Sequence, residues 1–157
     1  MDLLRLALFQ PDIPQNAGTL VRLSACLGIP LDIIEPCGFL WDEKRMRRAG
    51  MDYVDHARVD RHSSWAVFRQ ALAGRRLVLL TTAGGTRLDS FSFTPGDVIM
   101  VGRESAGVPA DVAACADIAL RIPMAAGLRS LNVALAATLA VGEGLRQLNG
   151  FPPEEQR

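Results

Sequence analysis

The chain has 157 residues, 49% of them apolar and 22% charged, and its 17 basic side chains balance 17 acidic ones. That length holds one domain able to bury well over half of its unfolded surface, and the composition excludes a disordered chain. Apolar runs stop short of the roughly 20 residues of a membrane span and the first residues lack a small-residue cleavage site, so a cytoplasmic protein is expected.

Leu4–Phe9 is the first strand-like run, and the polar loop after it leads to Asn16, Gly18 and Arg22. Leu20, Leu23 and Leu27 share a helical face that Gly28 ends. Leu31–Ile34 predicts a second strand. Lys44, Arg45, Arg47 and Arg48 then place four cations within five residues, and Arg58, Arg61, Arg75 and Arg76 follow in the same half. Zero net charge disfavours non-specific binding to nucleic acid, but this clustering supplies a local patch that can track phosphates. The alternative is a solvated helix face. Ser63 is placed to cap a helix with Trp65, Phe68 and Leu72 on one side.

Residues 77–82, 98–101 and 118–122 predict three further strands. All five runs are apolar on consecutive positions, which implies a sheet covered on both faces, and strands alternating with helices imply a parallel α/β sheet. The segment 102–109 (GRESAGVP) is a glycine-bounded loop carrying one carboxylate, Glu104. The segment 122–132 (IPMAAGLRSLN) is kept irregular by Pro123 and Gly127, and Ser130 and Asn132 stand where a last helix begins. That helix is expected over 131–148, with Leu131, Leu135 and Leu139 on one stripe and Ala134, Ala137 and Ala140 as small neighbours. One domain over residues 1–150 and a frayed tail over 151–157, where two prolines and adjacent charges cannot continue a helix, complete the reading.

Some chemistries lose ground. Cys26, Cys37 and Cys115 are odd in number and lack CxxC spacing, so neither a disulfide framework nor a zinc site is indicated, and reduced, mostly buried thiols are expected. No metal site is expected at all. No Ser–His–Asp order is evident, and His56 and His62 are expected at the surface. Neither GxGxxG after the first strand nor GxxxxGK[ST] occurs, which disfavours a Rossmann dehydrogenase, a Rossmann-type methyltransferase and a P-loop NTPase.

The three loops in this order, with residues 34–39 (IEPCGF), 44–53 (KRMRRAGMDY), Arg129 to Asn132, Glu143, Arg146 and Gln147, resemble the SPOUT superfamily of S-adenosylmethionine-dependent RNA 2′-O-ribose methyltransferases. The resemblance spans nearly the whole chain. It implies a sheet flanked by helices with a C-terminal trefoil knot, a homodimer, and a tRNA anticodon stem-loop as partner, methylated on the wobble ribose. It also implies S-adenosylmethionine against Leu80, Thr81, Gly102, Glu104, Ile122, Met124, Ser130, Leu131 and Asn132, with RNA on Lys44, Arg45, Arg47, Arg48 and Arg129. Asn16 is expected to bond the RNA or the active-site loop, helix capping being the alternative. Glu104 is expected to bind the cationic cofactor or hold Arg22.

Arg22 corresponds to the family's catalytic arginine. A guanidinium is a poor proton acceptor at neutral pH, so gripping a phosphate or orienting the hydroxyl suits its planar fork better. One departure stands out: relatives commonly carry tyrosine before the glutamate of the last helix, and here Gly142 precedes Glu143. Three alternatives stay open. They are methylation of a different tRNA or rRNA ribose, a catalytically silent RNA-binding module, and a nucleotide-binding regulatory protein.

Overall fold

Seven parallel strands form one sheet in the computed structural model, which describes residues 2–42, 44–45 and 52–155. They are β1 (Leu4–Phe9), β2 (Leu31–Ile34), β3 (Val59–His62), β4 (Leu77–Leu80), β5 (Thr86–Arg87), β6 (Asp97–Val101) and β7 (Ile118–Arg121). Their spatial order is β3-β2-β1-β6-β4-β7-β5. The chain steps outward from β1 through β2 to β3, crosses to β4, and returns to insert β6 beside β1. The order therefore reverses next to β1, and ligands of open α/β sheets bind at such switch points, outside the carboxyl ends of the strands.

The continuous apolar runs are buried on both faces, as β1, β2 and β6 show along nearly their whole length. Helices α1 (Pro14–Leu27) and α4 (Val133–Leu148) cover the side that carries Leu6, Leu8, Ile33 and Ile99. Helix α2 (Trp65–Ala71) and the short α3 (Ala110–Ala113) cover the other, where Phe68 and Val112 pack on Ala7, Phe9 and Met100. Pro14 opens α1 at a position whose N–H would be unpaired, and Gly28 ends it at φ 65°.

Several expectations need correction. Strands β3 and β5 are additions to the expected set: β3 carries Asp60, Arg61 and His62 in a row at a sheet edge, and β5 has only two residues. Ser64, not Ser63, caps α2, accepting the Val67 N–H at 3.2 Å. The last helix starts at Val133 with Asn132 as its cap, so neither Leu131 nor Ser130 opens it. The leucines of its first half face outward: Leu135 and Leu139 are 60% and 51% exposed, while Ala134, Ala137 and Ala140, and further on Leu145, face the sheet. His62 is buried, bonded through Nε2 to Asp32 at 2.8 Å. Cys26 is exposed, and Cys37 and Cys115 are half-buried; burial pushes the Cys37 thiol up to about 11. Phe151 to Glu155 form no regular element and are exposed.

Candidate active site

At the carboxyl ends of β4, β6 and β7 lies a cleft of about 390 Å³. Leu80 and Thr81 come from the end of β4, Gly102 and Glu104 from the loop after β6, and Ile122 and Met124 from the segment after β7. Ser130, Leu131 and Asn132 close it from the approach to α4, and Asn16 enters from the first turn of α1. The nine positions proposed for the cofactor thus share one concavity, although the chain separates them by up to 52 residues. Leu79, Val101 and Val108 add apolar lining, and Ile13 and Arg103 also border the space.

The loop after β6 is a closed ring. Arg103 N–H donates to Gly107 O at 3.0 Å and Gly107 N–H to Arg103 O at 2.8 Å, with Gly107 at φ 61°. A Cβ on Gly102 would stand 2.6 Å from the Gly107 carbonyl carbon, so only glycine lets the ring close this tightly. The ring presents Glu104 to the β1–α1 loop. Asp12 N–H donates to Glu104 Oε2 at 3.1 Å, and Asn16 Nδ2 donates to Glu104 Oε1 at 3.4 Å. Asn132 Nδ2 donates to Asn16 Oδ1 at 3.2 Å, while Asn132 Oδ1 accepts the N–H groups of Ala134 and Leu135 at 2.9 and 3.2 Å. Hydrogen bonds therefore tie the first loop, the β6 loop and the start of α4 into one rim.

Burial raises the Glu104 carboxyl above its ordinary value, and the neighbouring Asp12 carboxyl raises it further. Asp12 is held down to about 2 by its hydrogen bond with the Glu104 side chain and by the Ser105 hydroxyl. A proton taken up by this pair resides on Glu104.

Asn16 is not a cap: the α1 cap is Ile13, which makes no side-chain bond to the helix, and Asn16 spends its amide on Glu104 and Asn132. Within the single chain Glu104 does not hold Arg22. Arg22 is exposed on α1 outside this cleft, its guanidinium 4.5 Å from the Tyr53 ring centre and its Nη2 3.4 Å from the Tyr53 hydroxyl. Arg129 is exposed on the loop before α4. Lys44 and Arg45 are exposed and start a turn on Asp42, which accepts their N–H groups at 2.9 and 3.4 Å. Arg47 and Arg48 lie outside the described residues. Sequence reasoning missed Asp12, whose partners are 92 and 93 positions away; its place between two prolines was the one available signal.

A family model described as the SpoU rRNA Methylase family matches residues 3–142. The chain belongs to that family. A relative from Beijerinckia indica, named tRNA (cytidine(34)-2′-O)-methyltransferase, is 53% identical over 148 residues, which is 93% of this chain and 92% of the relative. A solved structure on the 2-OH methylation of C/U34 on tRNA superposes with a TM-score of 0.88 at 43% identity, covering 94% of this chain and 97% of that one. The SpoU methyltransferase AviRb from Streptomyces viridochromogenes, solved with AdoMet, gives a TM-score of 0.79 at 28% identity over 96% of this chain and 60% of that one. As a SpoU-family methylase the chain is S-adenosylmethionine-dependent, and the cleft suits such a ligand. Its size falls in the small-molecule range, apolar side chains offer cover for an aromatic ring, and the polar rim offers a few fixed hydrogen bonds. Among the described residues no group of three His, Cys, Asp or Glu is placed to hold a metal, and no helix is long and apolar enough to cross a membrane.

Proposed function

We propose that this protein transfers a methyl group from S-adenosylmethionine to the ribose 2′-hydroxyl of nucleotide 34, cytidine or uridine, in the anticodon stem-loop of tRNA, working as a cytoplasmic homodimer. The observation that carries the reading is the convergence of three loops, distant in sequence, on one cleft at the switch point of the sheet. The close relatives of the same length, named for this reaction, support it. A C-terminal trefoil knot, whose loops would form the cofactor pocket, belongs to the same proposal.

S-adenosylmethionine, when bound, supplies an electrophilic methyl group on a sulfonium. The protein has to bring the ribose oxygen into line with that methyl and let the hydroxyl proton leave. Leu80, Ile122, Met124 and Leu131 cover the adenosine, Gly102 admits close backbone approach, and Thr81, Ser130 and Asn132 fix its orientation. Asn16, held by Glu104 and Asn132, presents its amide at the rim, where the ribose enters. Arg22 grips a phosphate or the hydroxyl from outside the cleft, with the bidentate geometry a guanidinium offers. Lys44, Arg45, Arg47, Arg48 and Arg129 track the RNA backbone and position it without reading bases.

The homodimer rests on α4. Leu131, Leu135 and Leu139 stand 41%, 60% and 51% exposed, with Leu128 at 69% on the loop before them. Apolar side chains gathered on one outward face mark an association surface, and a second copy is its simplest self-complementary cover. In such a dimer Arg22 of one copy serves the cleft of the other, which accounts for its absence from its own.

Mapping ribose methylation across total RNA from cells with and without the gene tests the reading. Loss of the 2′-O-methyl group at tRNA position 34 alone is expected. Loss at a different ribose moves the target, and an unchanged map removes the catalytic reading.

A further inference from the structure

We infer that Asp12 is a positioning residue of this active site: fixed beside the tip of the β6 loop, it aims the Glu104 carboxyl at Asn16 and so sets the hydrogen-bonded rim that reaches Asn132. The inference rests on the proposed methyl transfer for its kinetic consequence and on the contacts and charges around Glu104 for the rest.

The contacts are reciprocal. Asp12 Oδ1 accepts the Glu104 N–H at 3.1 Å, Asp12 Oδ2 accepts the Ser105 hydroxyl, and the Asp12 N–H returns a bond to Glu104 Oε2 at 3.1 Å. The ring of residues 102–107 is pinned at its base by the Arg103 and Gly107 backbone pair, so its tip takes its position from Asp12. Asp12 is itself held from behind. Gly38 N–H donates to Pro11 O at 2.9 Å, and a Cβ on Gly38 would lie 2.6 Å from the Asp12 Cβ. The Gly38 turn restrains the Asp12 backbone, and the hydrogen bonds from Glu104 N–H and the Ser105 hydroxyl hold the half-exposed carboxylate toward the ring.

Electrostatics makes this a chemical arrangement as well as a steric one. Among the described residues neither Asp12 nor Glu104 forms an ion pair. The groups around Glu104 are the Asp12 carboxylate from the β1–α1 loop, uncharged Asn16 from α1 and uncharged Asn132 at the start of α4. On its own loop, Arg103 turns its guanidinium to Gly107 O and the Phe9 ring. Two carboxyls without a cation resist carrying two charges, and Glu104, the more desolvated, keeps the proton to higher pH. Glu104 ionisation near a cationic cofactor is therefore governed by a residue that need not touch the cofactor.

Asp12→Asn keeps an oxygen for the Glu104 N–H and removes the charge, whereas Asp12→Ala removes both. The experiment follows the side-chain carboxyl carbon of Glu104 by 13C NMR from about pH 4 to about pH 9 in wild type and both variants, with and without S-adenosylhomocysteine. It also measures kcat and KM for methyl transfer. Expected are a downward shift of Glu104 titration in both variants and a kcat loss of about 100-fold in Asp12→Ala, as a displaced reacting geometry produces, with a smaller loss in Asp12→Asn and KM for the cofactor little changed. Unshifted Glu104 titration in Asp12→Asn overturns the inference, as does a wild-type kcat in Asp12→Ala. The titration needs no RNA, so absence of methyl transfer to tRNA in wild type would strike the proposed function and leave this test standing.

Discussion

Two polar clusters at opposite ends of the sheet handle charge in opposite ways. At the amino ends of the strands, carboxylates meet arginines. Arg5 spans Asp32 through Nε and Nη2 at 2.9 and 2.8 Å, and reaches Asp60 at 2.7 Å and Asp2 at 3.1 Å; Arg76 grips Asp97 at 2.8 and 2.7 Å. At the carboxyl ends, Asp12 and Glu104 face each other with only amides and a hydroxyl between them. A neutralised network lowers the cost of burying polar ends. An unneutralised pair keeps its protonation adjustable, which a structural role does not require.

The largest effect should come from breaking the neutral end. Asp32 is almost wholly buried, so Asp32→Ala leaves His62 without its carboxylate and Arg5 with Asp60 and Asp2 alone, and is expected to cost about 3 kcal/mol in urea unfolding. A loss under about 1 kcal/mol would mean the network behaves like a surface pair. The cleft, at the far ends of these strands, should bind S-adenosylhomocysteine normally in whatever fraction stays folded.

A second contrast runs around the first half of α4, alanine inward and leucine outward. Leu135→Glu with Leu139→Glu is expected to convert the proposed dimer to monomer in sedimentation. Each exposed leucine buried in a contact contributes about 1.5–3 kcal/mol, so the pair should weaken association by more than about 100-fold. An unchanged dimer would place the interface on a different face.

Acid should separate the two ends of the sheet more gently. Asp12 is lowered from its ordinary 3.8 to about 2, so its contribution to stability is present above about pH 4 and is lost as pH falls through about 2. Asp2 is lowered too, first by its hydrogen bond from Arg58, and is lost in the same direction. Glu104 is raised, so its contribution is present below its ordinary 4.5 and is lost as pH rises through its folded value. Urea midpoints should therefore fall between about pH 4 and about pH 2 in wild type and fall less in Asp12→Asn. Glu104→Gln should be relatively more stable near neutrality than in acid. Identical curves for all three proteins would show that the pair carries no linkage.

These contrasts were unequally legible in the sequence. Continuous apolar runs put β1 and β2 at their observed limits, because a strand covered on both faces leaves no room for alternation. Val59–His62 escaped because an edge strand tolerates polar residues, and His62 escaped with it, since its partner Asp32 lies on another strand. For α4 the leucine stripe was plain, but periodicity cannot assign a direction when both faces are apolar; close packing on the sheet favours the alanines. Loops rich in glycine and asparagine marked the cleft. Asp12 remained invisible because its role depends on a loop brought beside it only by the β1–β6 pairing.

The smallest expected effect sharpens the contrast on α4. Gly142 and Gly144 both lie inside the helix, each costing roughly 1 kcal/mol against alanine. Their surroundings differ. A Cβ at Gly142 meets nothing within 4 Å, whereas one at Gly144 stands 3.0 Å from Leu4 Cδ2 and 3.5 Å from Phe93 Cδ1. Gly142→Ala should then raise Tm by about 2–4 °C, while Gly144→Ala should gain less or lose, because the buried Leu4 has little room to yield. Gly142 lies three and seven positions beyond Leu139 and Leu135, on the same outward stripe. Calorimetry of Gly142→Ala at high and low protein concentration therefore reads two things. A gain at both concentrations leaves Gly142 in solvent; a gain confined to dilute protein means a second copy packs against the bare backbone, where an added methyl group offsets the helical gain. A loss at both would show that the open space is needed within the single chain.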